Sequence, residues 1–270
     1  MSTTLDRYIH KFKHLRVANT KFGKAPHKPV LIISLISLMD KGRISQNRFF
    51  LTAELVAEFK ENWASLVETQ NTVDFSLPFF HLQTDGFWKV WLKSGKQQKI
   101  HIKNIFTLEE EVSHAELEEE LFLLLTDPQS RKTLLLTLLD KWFPGRKSHY
   151  LNQKDNGNDW NLQVEKDILN EAPATYNLPE DDDLAFIRSA KFQQVVLRVY
   201  NYTCCISGMR VLPIANHSMI DACHIIPFRE SGDNSITNGI ALCPNLHRAF
   251  DRHLIAINQN YRVEVNQNFD

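Results

Sequence analysis

Two histidines and an asparagine near the C-terminus have the types and spacing of residues that could act together in hydrolysis. His224, Asn238 and His247 lie 14 and then 9 residues apart. A neutral imidazole has a pKa close to neutral pH and can take a proton from water, whereas a second imidazole can bind a metal ion. The set therefore indicates metal-assisted hydrolysis.

The residues around this set predict the elements that position it. A short apolar run at 222–228 predicts a strand that ends in a polar loop, and 240–242 predicts a second strand. Pro244 suits the first turn of a helix, where its missing N–H costs nothing. His247 and Asp251 are four residues apart and so share one face of that helix. We therefore expect a strand, a loop, a strand and a helix.

Hydrolysis of a phosphodiester needs an activated water, a cation and a rigid hold on both. We expect His224 to be the general base and Asn238 to bridge loop backbone groups and so aim it. His247 with a carboxylate, from Asp221 or Asp251, predicts a mixed nitrogen and oxygen site for Mg²⁺, Mn²⁺ or a transition metal. Three arginines are candidates to hold the cleaved phosphate: Arg229, Arg248 and Arg252.

This segment resembles the HNH endonuclease superfamily, and closely the branch found in modification-dependent McrA-type restriction enzymes. The resemblance begins near Ile187, includes Cys204-Cys205-Ile206-Ser207-Gly208 and runs to about Ile257. It implies a ββα-metal fold in which the first His is the general base, the Asn positions it and the second His binds the metal. These roles fall on His224, Asn238 and His247, whereas the choice between the two aspartates stays open.

The four cysteines depart from the pattern of many HNH domains, which hold a structural zinc with two Cys-x-x-Cys pairs. Cys204, Cys205, Cys223 and Cys243 contain no such pair. The spacing argues against structural Zn²⁺, and we expect Cys204 and Cys243 to be small buried hydrophobic residues.

Composition limits the class of protein. A chain of 270 residues with 43% hydrophobic residues can form two domains with cores of their own. No apolar run is long enough to span a bilayer, and the basic N-terminus is unlike a signal peptide. Few scattered cysteines suit reduced thiols. We expect a cytoplasmic protein without a membrane partner.

Charge divides the chain into three parts. Residues 1–150 carry 21 basic and 17 acidic side chains, 151–183 carry 2 and 9, and 184–270 carry 8 and 6. The acidic part contains Asn-Gly-Asn and two prolines, Pro173 and Pro179. The pattern predicts two mildly basic domains, at 1–150 and 184–270, joined by an acidic linker at 151–183. The HNH resemblance implies that 184–270 is the nuclease domain, and we expect 1–150 to be a DNA-recognition domain.

The N-terminal part predicts an α+β fold with a basic surface. Apolar periodicity predicts core helices at 30–39 and 51–66. Aromatic and β-branched runs predict strands at 78–82, 87–92 and 100–102, and an acidic helical pair follows at 109–140. Lysines mixed with aromatic residues suit a surface that follows the DNA backbone.

Three motifs give this part a second resemblance. Ala25-Pro26-His27-Lys28-Pro29, Pro78-Phe79-Phe80-His81-Leu82 and Asp85-Gly86-Phe87-Trp88 are similar to the sulfur-binding domains of phosphorothioate-dependent McrA-type enzymes. Such domains place the sulfur of a modified backbone in a shallow apolar cavity with a proline ring and basic residues around it. The DNA-contact candidates are Pro26, His27 and Lys28, with Lys24, His81 and Lys89.

The sequence therefore predicts a two-domain restriction endonuclease that recognises modified double-stranded DNA and cuts it with Mg²⁺, Mn²⁺, Co²⁺ or Ni²⁺. Cutting both strands with one active site per chain implies a homodimer or sequential nicking. Two alternatives stay open. The enzyme reads methylated or hydroxymethylated bases or an unmodified sequence, or the chain is a noncatalytic DNA- or protein-binding factor.

Overall fold

The computed structural model describes residues 3–93, 100–154, 181–212 and 218–267. These residues form two compact units, one of 3–154 with 181–187 and one of 188–212 with 218–267. Both units combine helices with two-stranded sheets, so the predicted α+β class is confirmed.

Helices build most of the first unit: α1 Thr4–Lys13, α2 His27–Asp40, α3 Ala53–Leu66, α4 Ser76–His81, α5 Ile105–Glu111, α6 Glu119–Thr126, α7 Pro128–Trp142 and α8 Lys147–Lys154. Two antiparallel strand pairs accompany them: β1 Asn19–Thr20 with β2 Gly23–Lys24, and β3 Trp88–Leu92 with β4 Val112–Leu117. A 3₁₀ turn at Leu82–Asp85 joins α4 to β3.

Helix α2 forms the centre of the first unit. Its residues 28–39 are all buried, and α3, α4, α6 and α7 pack against it. A helix that is apolar on every side is stable only when protein surrounds it. Asn62 on α3 donates to the Ser34 hydroxyl at 3.0 Å, which satisfies a polar group inside this core. The helices predicted at 30–39 and 51–66 are confirmed as α2 and α3.

The strand predicted at 78–82 is wrong, because most of this segment lies in helix α4. Asp74 accepts hydrogen bonds from the Leu77 N–H at 3.0 Å and from the Ser76 hydroxyl at 2.7 Å, and these bonds fix the start of the helix. Pro78 then occupies the first turn, where a residue without an N–H loses no intrahelical bond. The aromatic residues suggested a strand, but the hydrogen bonds to Asp74 and the position of Pro78 in the first turn favour a helix.

The partner of β3 was also mispredicted. Residues 100–102 form no strand, and β3 pairs with β4, which lies inside the segment expected to be helical from 109. The backbone of Ala115 on β4 also pairs with Phe49 through bonds of 2.8 and 2.9 Å. The acidic residues on both sides of β4 favoured a helix prediction. The strand forms because of its contacts with residues distant in sequence.

The second unit contains the predicted strand, loop, strand and helix. Its helices are α9 Asp182–Val199, whose first residues belong to the first unit, α10 Phe228–Ser231 and α11 Pro244–Asp251. Its strands are β5 Asp221–His224 with β6 Gly239–Leu242, and β7 Ile255–Ile257 with β8 Val263–Val265. The core consists of Cys204, Ile220, Cys223, Ile240, Ala241 and Leu242. Cys204 is buried as expected, whereas Cys243 is half-buried.

Of the acidic linker expected at 151–183, residues 155–180 lie outside the described residues. Residues 151–154 end α8, and Asp182 and Asp183 begin α9. None of the described helices, α9 with its 18 residues included, is apolar enough to cross a bilayer.

Candidate active site and DNA-binding surface

The β5–β6 pair presents functional side chains on both faces. His224 pairs with Gly239, and Asp221 pairs with Leu242 at the other end of β5. Side chains alternate along a strand, so Asp221 and Cys223 share one face while His224 lies on the other. The face of Asp221 and Cys223 meets α11, whereas His224 meets α9.

The imidazole of His224 is held by a ring on one side and by an amide at its edge. It lies flat on Phe192 of α9, with centroids 4.1 Å apart and planes inclined by 6°. Its Nε2 is 2.8 Å from Oδ1 of the buried Asn234. An amide oxygen only accepts, so Nε2 carries the proton and Nδ1 keeps its lone pair. Burial lowers the pKa of His224, although the bond to Asn234 opposes this, and the ring is neutral at neutral pH.

Gly239 allows α9 to approach the hairpin closely. A Cβ at this position would lie 2.4 Å from Cγ2 of Val196 and 3.0 Å from the ring of Phe192. Only a residue without a side chain therefore fits opposite His224 at the observed distance of the helix.

Asn238 fastens the loop between the two strands. Its Oδ1 accepts from the Ile226 N–H at 2.8 Å, and its Nδ2 donates to the carbonyl oxygens of Ile226 and Asp233, both at 3.0 Å. These bonds hold the residues that follow His224 and the residue that precedes Asn234. Asn238 therefore acts on the His224 ring through the loop, and Asn234 contacts the ring directly.

His247 lies between two carboxylates. Its Nδ1 is 3.1 Å from Oδ2 of Asp221, and its Nε2 is 3.3 Å from Oδ2 of Asp251. The Cys223 thiol donates to Oδ1 of Asp251 at 3.8 Å, and burial together with this carboxylate raises the pKa of the thiol to about 12. Ligand atoms of Cys223, His247 and Asp251 lie within 4.8 Å of one another. Sulfur, nitrogen and oxygen donors at this spacing fit a divalent ion.

Two of the three candidate arginines are exposed at the same end of the unit. Arg248 lies on α11 and Arg252 directly follows that helix. The side chain of Arg229 lies outside the described residues. The structure thus leaves two guanidinium groups accessible to a phosphate.

Lys28 in the first unit is an interior residue. Its ammonium donates to the Arg16 carbonyl oxygen at 2.6 Å, to the Thr84 hydroxyl at 2.8 Å and to Asp85 at 2.7 Å. The side chains of Lys28 and Asp85 are only 9% and 4% exposed. An ammonium has three donors, and all three are used within the unit. The DNA contact expected for Lys28 stays a prediction, and this geometry does not favour it.

Two candidate histidines lie near Lys28. His27 begins α2, packs against Trp63 with ring centroids 4.6 Å apart and planes inclined by 56°, and places Nε2 2.9 Å from the Thr72 carbonyl oxygen. His81 ends α4 and is exposed. Burial lowers the pKa of both rings, and the charge of Lys28 lowers that of His81 further. Both imidazoles are therefore neutral at neutral pH. His27 donates its one N–H to Thr72, so its Nδ1 can only accept, whereas His81 can donate or accept.

The remaining candidates are distributed over the first unit. Pro26 is buried as the residue before α2. The exposed Lys24 places its ammonium 6.0 Å from the ring centroid of Trp142, and the exposed Lys89 lies 3.7 Å from that of Trp91. His81 is thus near enough to Lys28 to feel its charge, whereas Lys24 and Lys89 lie beside Trp142 and Trp91.

Three participants at the nuclease site were not predicted as such from the sequence. Asn234 looked like any polar loop residue, and Phe192 was noted only within the HNH resemblance. Cys223 was considered only for structural zinc, although its position two residues after Asp221 on a strand was a signal that they share a face.

Comparisons with known proteins agree with both resemblances. Residues 5–154 match the family described as "ScoMcrA-like, DNA sulfur-binding domain", and residues 204–258 match the family of HNH endonucleases. A solved structure described as "Sulfur binding domain of ScoMcrA complexed with phosphorothioated DNA" is 19% identical, with a TM-score of 0.37. That alignment covers 53% of this chain and 89% of the solved one. No curated protein matches the chain.

Proposed function

This chain belongs to the family with a ScoMcrA-like DNA sulfur-binding domain, and from that premise we propose that it is a phosphorothioate-dependent restriction endonuclease. The second unit is an HNH domain, which makes the protein a metal-dependent DNA nuclease. The observation that carries the proposal is the union of these two domains in one chain. We place recognition at 1–150 and cleavage at 184–270, on either side of the acidic segment.

In the proposed reaction, Nδ1 of His224 takes a proton from the attacking water, because Asn234 occupies Nε2. Phe192 and the loop held by Asn238 keep the ring in place during attack on phosphorus. The bond between phosphorus and the leaving oxygen then breaks. A divalent ion held at His247 supplies charge stabilisation for the phosphate and the leaving oxygen when it is bound.

For recognition, we propose that the backbone of modified DNA lies near the start of α2. The first N–H groups of a helix have no intrahelical partner and favour an anion. The exposed His81 lies beside this end, and its neutral imidazole can donate to a phosphate oxygen without a strongly hydrated charge. His27 also lies there, but its one N–H is donated to the Thr72 carbonyl oxygen, so it offers ring surface and not a hydrogen bond to the phosphate. Sulfur is larger and less hydrated than oxygen, so contact with apolar surface selects it. Lys24 and Lys89 contribute at other points of the DNA backbone.

The assembly and location are also part of the proposal. One HNH site per chain cuts one strand at a time, so we propose that two copies act together on a duplex. Because the proposed substrate is DNA inside the cell, we propose a cytoplasmic location. We propose that the ion at the cleavage site is Mg²⁺, Mn²⁺, Co²⁺ or Ni²⁺, and plasmid cleavage with each ion in turn identifies those that support the reaction.

The decisive experiment uses matched plasmids, one phosphorothioated in the cell and one unmodified, incubated with the protein and Mn²⁺. We expect only the phosphorothioated plasmid to be cut. In His224→Ala cleavage should fall on the order of 10²–10⁴-fold with DNA affinity unchanged, because a general base acts on rate and not on docking. His149→Ala, which removes an exposed imidazole of the first unit, is the matched control.

Equal cutting of both plasmids would leave the nuclease assignment intact and remove the sulfur specificity. Cutting of neither plasmid would direct the assay to methylated and hydroxymethylated DNA. Normal cleavage by His224→Ala would exclude this residue from the reaction.

A further inference from the structure

We propose that Cys223 is a metal ligand of the nuclease site, together with Nε2 of His247 and the carboxylate of Asp251. Asp221 does not bind the ion in this proposal but orients His247 from the opposite side. The inference rests on the proposed function only in that the second unit binds a divalent ion. From the sequence, Asp221 and Asp251 were alternative metal ligands. In this proposal Asp251 binds the ion and Asp221 orients His247.

The two ring nitrogens of His247 face different partners. Nε2 lies 3.3 Å from Asp251, which stands one helical turn further along α11, and Nδ1 lies 3.1 Å from Asp221 on β5. A histidine that binds a metal through one nitrogen commonly donates its other N–H to a carboxylate. The distance of Asp221 is that of such a hydrogen bond. Asp221 is therefore a positioning residue that fixes the tautomer in which Nε2 is free for the ion.

Cys223 completes the group on the side of Nε2. Its Sγ is 3.8 Å from Oδ1 of Asp251, and the ligand atoms of Cys223, His247 and Asp251 all lie within 4.8 Å of one another. Ligands at about 2.0–2.3 Å from a common ion can be at most about 4.6 Å apart, so a small adjustment brings all three to one ion. The alternation of side chains on β5 places Cys223 on the face of Asp221.

The three side chains differ in their exposure to solvent. Cys223 is 1% exposed, whereas the side chains of His247 and Asp251 are 27% and 59% exposed. The imidazole and the carboxylate are therefore the ligands that an ion from solvent meets first. Three protein ligands leave coordination positions for water and a phosphate oxygen, as a catalytic site requires.

Binding of the ion releases the proton of the Cys223 thiol to solvent, and the thiolate that is left determines which ions bind best. Mg²⁺ prefers oxygen ligands, whereas sulfur and imidazole select Co²⁺, Zn²⁺ and similar transition metals. The site therefore belongs to the thiophilic class, and Co²⁺ should bind more tightly than Mg²⁺.

The test is the absorption spectrum of the full-length protein titrated with Co²⁺. Wild type should develop a near-ultraviolet thiolate-to-cobalt charge-transfer band. Cys223→Ser should lose that band while circular dichroism stays native, and the exposed Cys205→Ser should keep it. A band that survives in Cys223→Ser, or a wild type saturated with Co²⁺ without a band, would overturn the assignment. X-ray absorption of Co²⁺-loaded wild type needs no variant, and absence of a sulfur shell near about 2.3 Å would also overturn it.

Asp221→Asn tests the positioning role. We expect a 10–100-fold weaker Co²⁺ affinity with the charge-transfer band retained at saturation, since outer partners of a ligand typically have effects of about this size. Glu230→Gln, which changes an exposed acid of α10, is the control and should bind as wild type. Unchanged affinity in Asp221→Asn would remove its role, and loss of the band would make it essential to the shell.

Plasmid cleavage is scored separately from these spectra. A protein that cuts DNA but shows no sulfur ligand would retain the proposed function and lose the inference. A protein that shows the band but cuts no DNA would retain the inference and lose the proposed function.

Discussion

His224 lies flat on Phe192, with ring centroids 4.1 Å apart and planes only 6° from parallel. Such a stack removes the freedom of the imidazole to tilt, while the bond from Nε2 to Asn234 removes its freedom to turn. The orientation of the proposed base is therefore set by a helix on one side and a loop on the other.

Asn234→Ala should lower kcat for DNA cleavage by about 10²-fold, because small displacements of a catalytic group cost rates of this size. The variant loses the acceptor that keeps the proton on Nε2 and leaves Nδ1 basic. Single-turnover cleavage measures the effect, and Asn245→Ala, an exposed asparagine on α11, serves as the control. Equal rates for Asn234→Ala and wild type would show that the stack alone positions the ring.

Gly239→Ala should destabilise the second unit by about 1–3 kcal/mol, the usual cost of overpacking. The added methyl group meets Val196 at 2.4 Å and Phe192 at 3.0 Å. Chemical unfolding followed by circular dichroism gives the free energy. Val196→Ala makes room, so the double variant should recover part of the loss. Simple additivity of the two single effects would contradict the proposed clash.

Lys28→Met should destabilise the first unit by about 3–5 kcal/mol, because it leaves the buried Asp85 carboxylate without its charge partner. Lys28→Met with Asp85→Asn should recover much of this, since the amide oxygen can still accept from the Arg16 N–H. Four of the five tryptophans, Trp63, Trp88, Trp91 and Trp142, lie in this unit, and none lies in residues 188–270, so tryptophan fluorescence is used to follow its unfolding.

The same double variant decides whether Lys28 contacts DNA. If the ammonium is wholly engaged inside the unit, the dependence of DNA affinity on salt stays as in wild type. A slope reduced by about one would instead assign Lys28 a phosphate contact.

Asp183 should make the first unit less stable as the pH rises. Burial raises its pKa from 3.8 to about 7, against the bond from the Phe75 N–H and the charge of Lys60. Between these two values the folded state holds a proton that the unfolded state has released. The contribution of Asp183 to the free energy of unfolding is therefore fully present below pH 3.8. It falls by roughly 1.4 kcal/mol per pH unit up to about pH 7.

Tryptophan-detected unfolding of wild type and Asp183→Asn across this pH range measures the effect. The variant should lose this contribution to the slope, because its amide does not titrate. The exposed Asp182→Asn is the control and should keep it. A wild-type slope that Asp183→Asn leaves unchanged would assign the pH dependence to other groups.

The nuclease site was predictable from sequence to the extent that its determinants are local. Pro244 and the spacing of His247 and Asp251 specify a helix with both groups on one face, and the structure has that helix. Contacts between distant segments were not predictable. Nothing near Asn234 in the sequence indicates that it contacts His224, and nothing near Lys28 indicates that Asp85 neutralises it.

The errors in the first unit have the same origin. Pro78 and its aromatic neighbours suggested a strand, but an acid at position 74 caps a helix there. Strand β4 depends on pairing with β3 and with Phe49, and its acidic flanks gave it a helical composition.

The four residues of β5 place side chains of different proposed roles on opposite faces of the strand. The side chain of His224 lies on one face of the strand and those of Asp221 and Cys223 lie on the other, so the two faces would separate the proposed proton transfer from the proposed ion binding. A slip of one residue against β6 would reverse every side chain. His224 would then turn toward the carboxylates, and the thiol would turn toward Phe192. Alignment of one short strand thus decides which chemistry each side chain performs, and an insertion or deletion next to β5 should abolish catalysis with every catalytic residue still present.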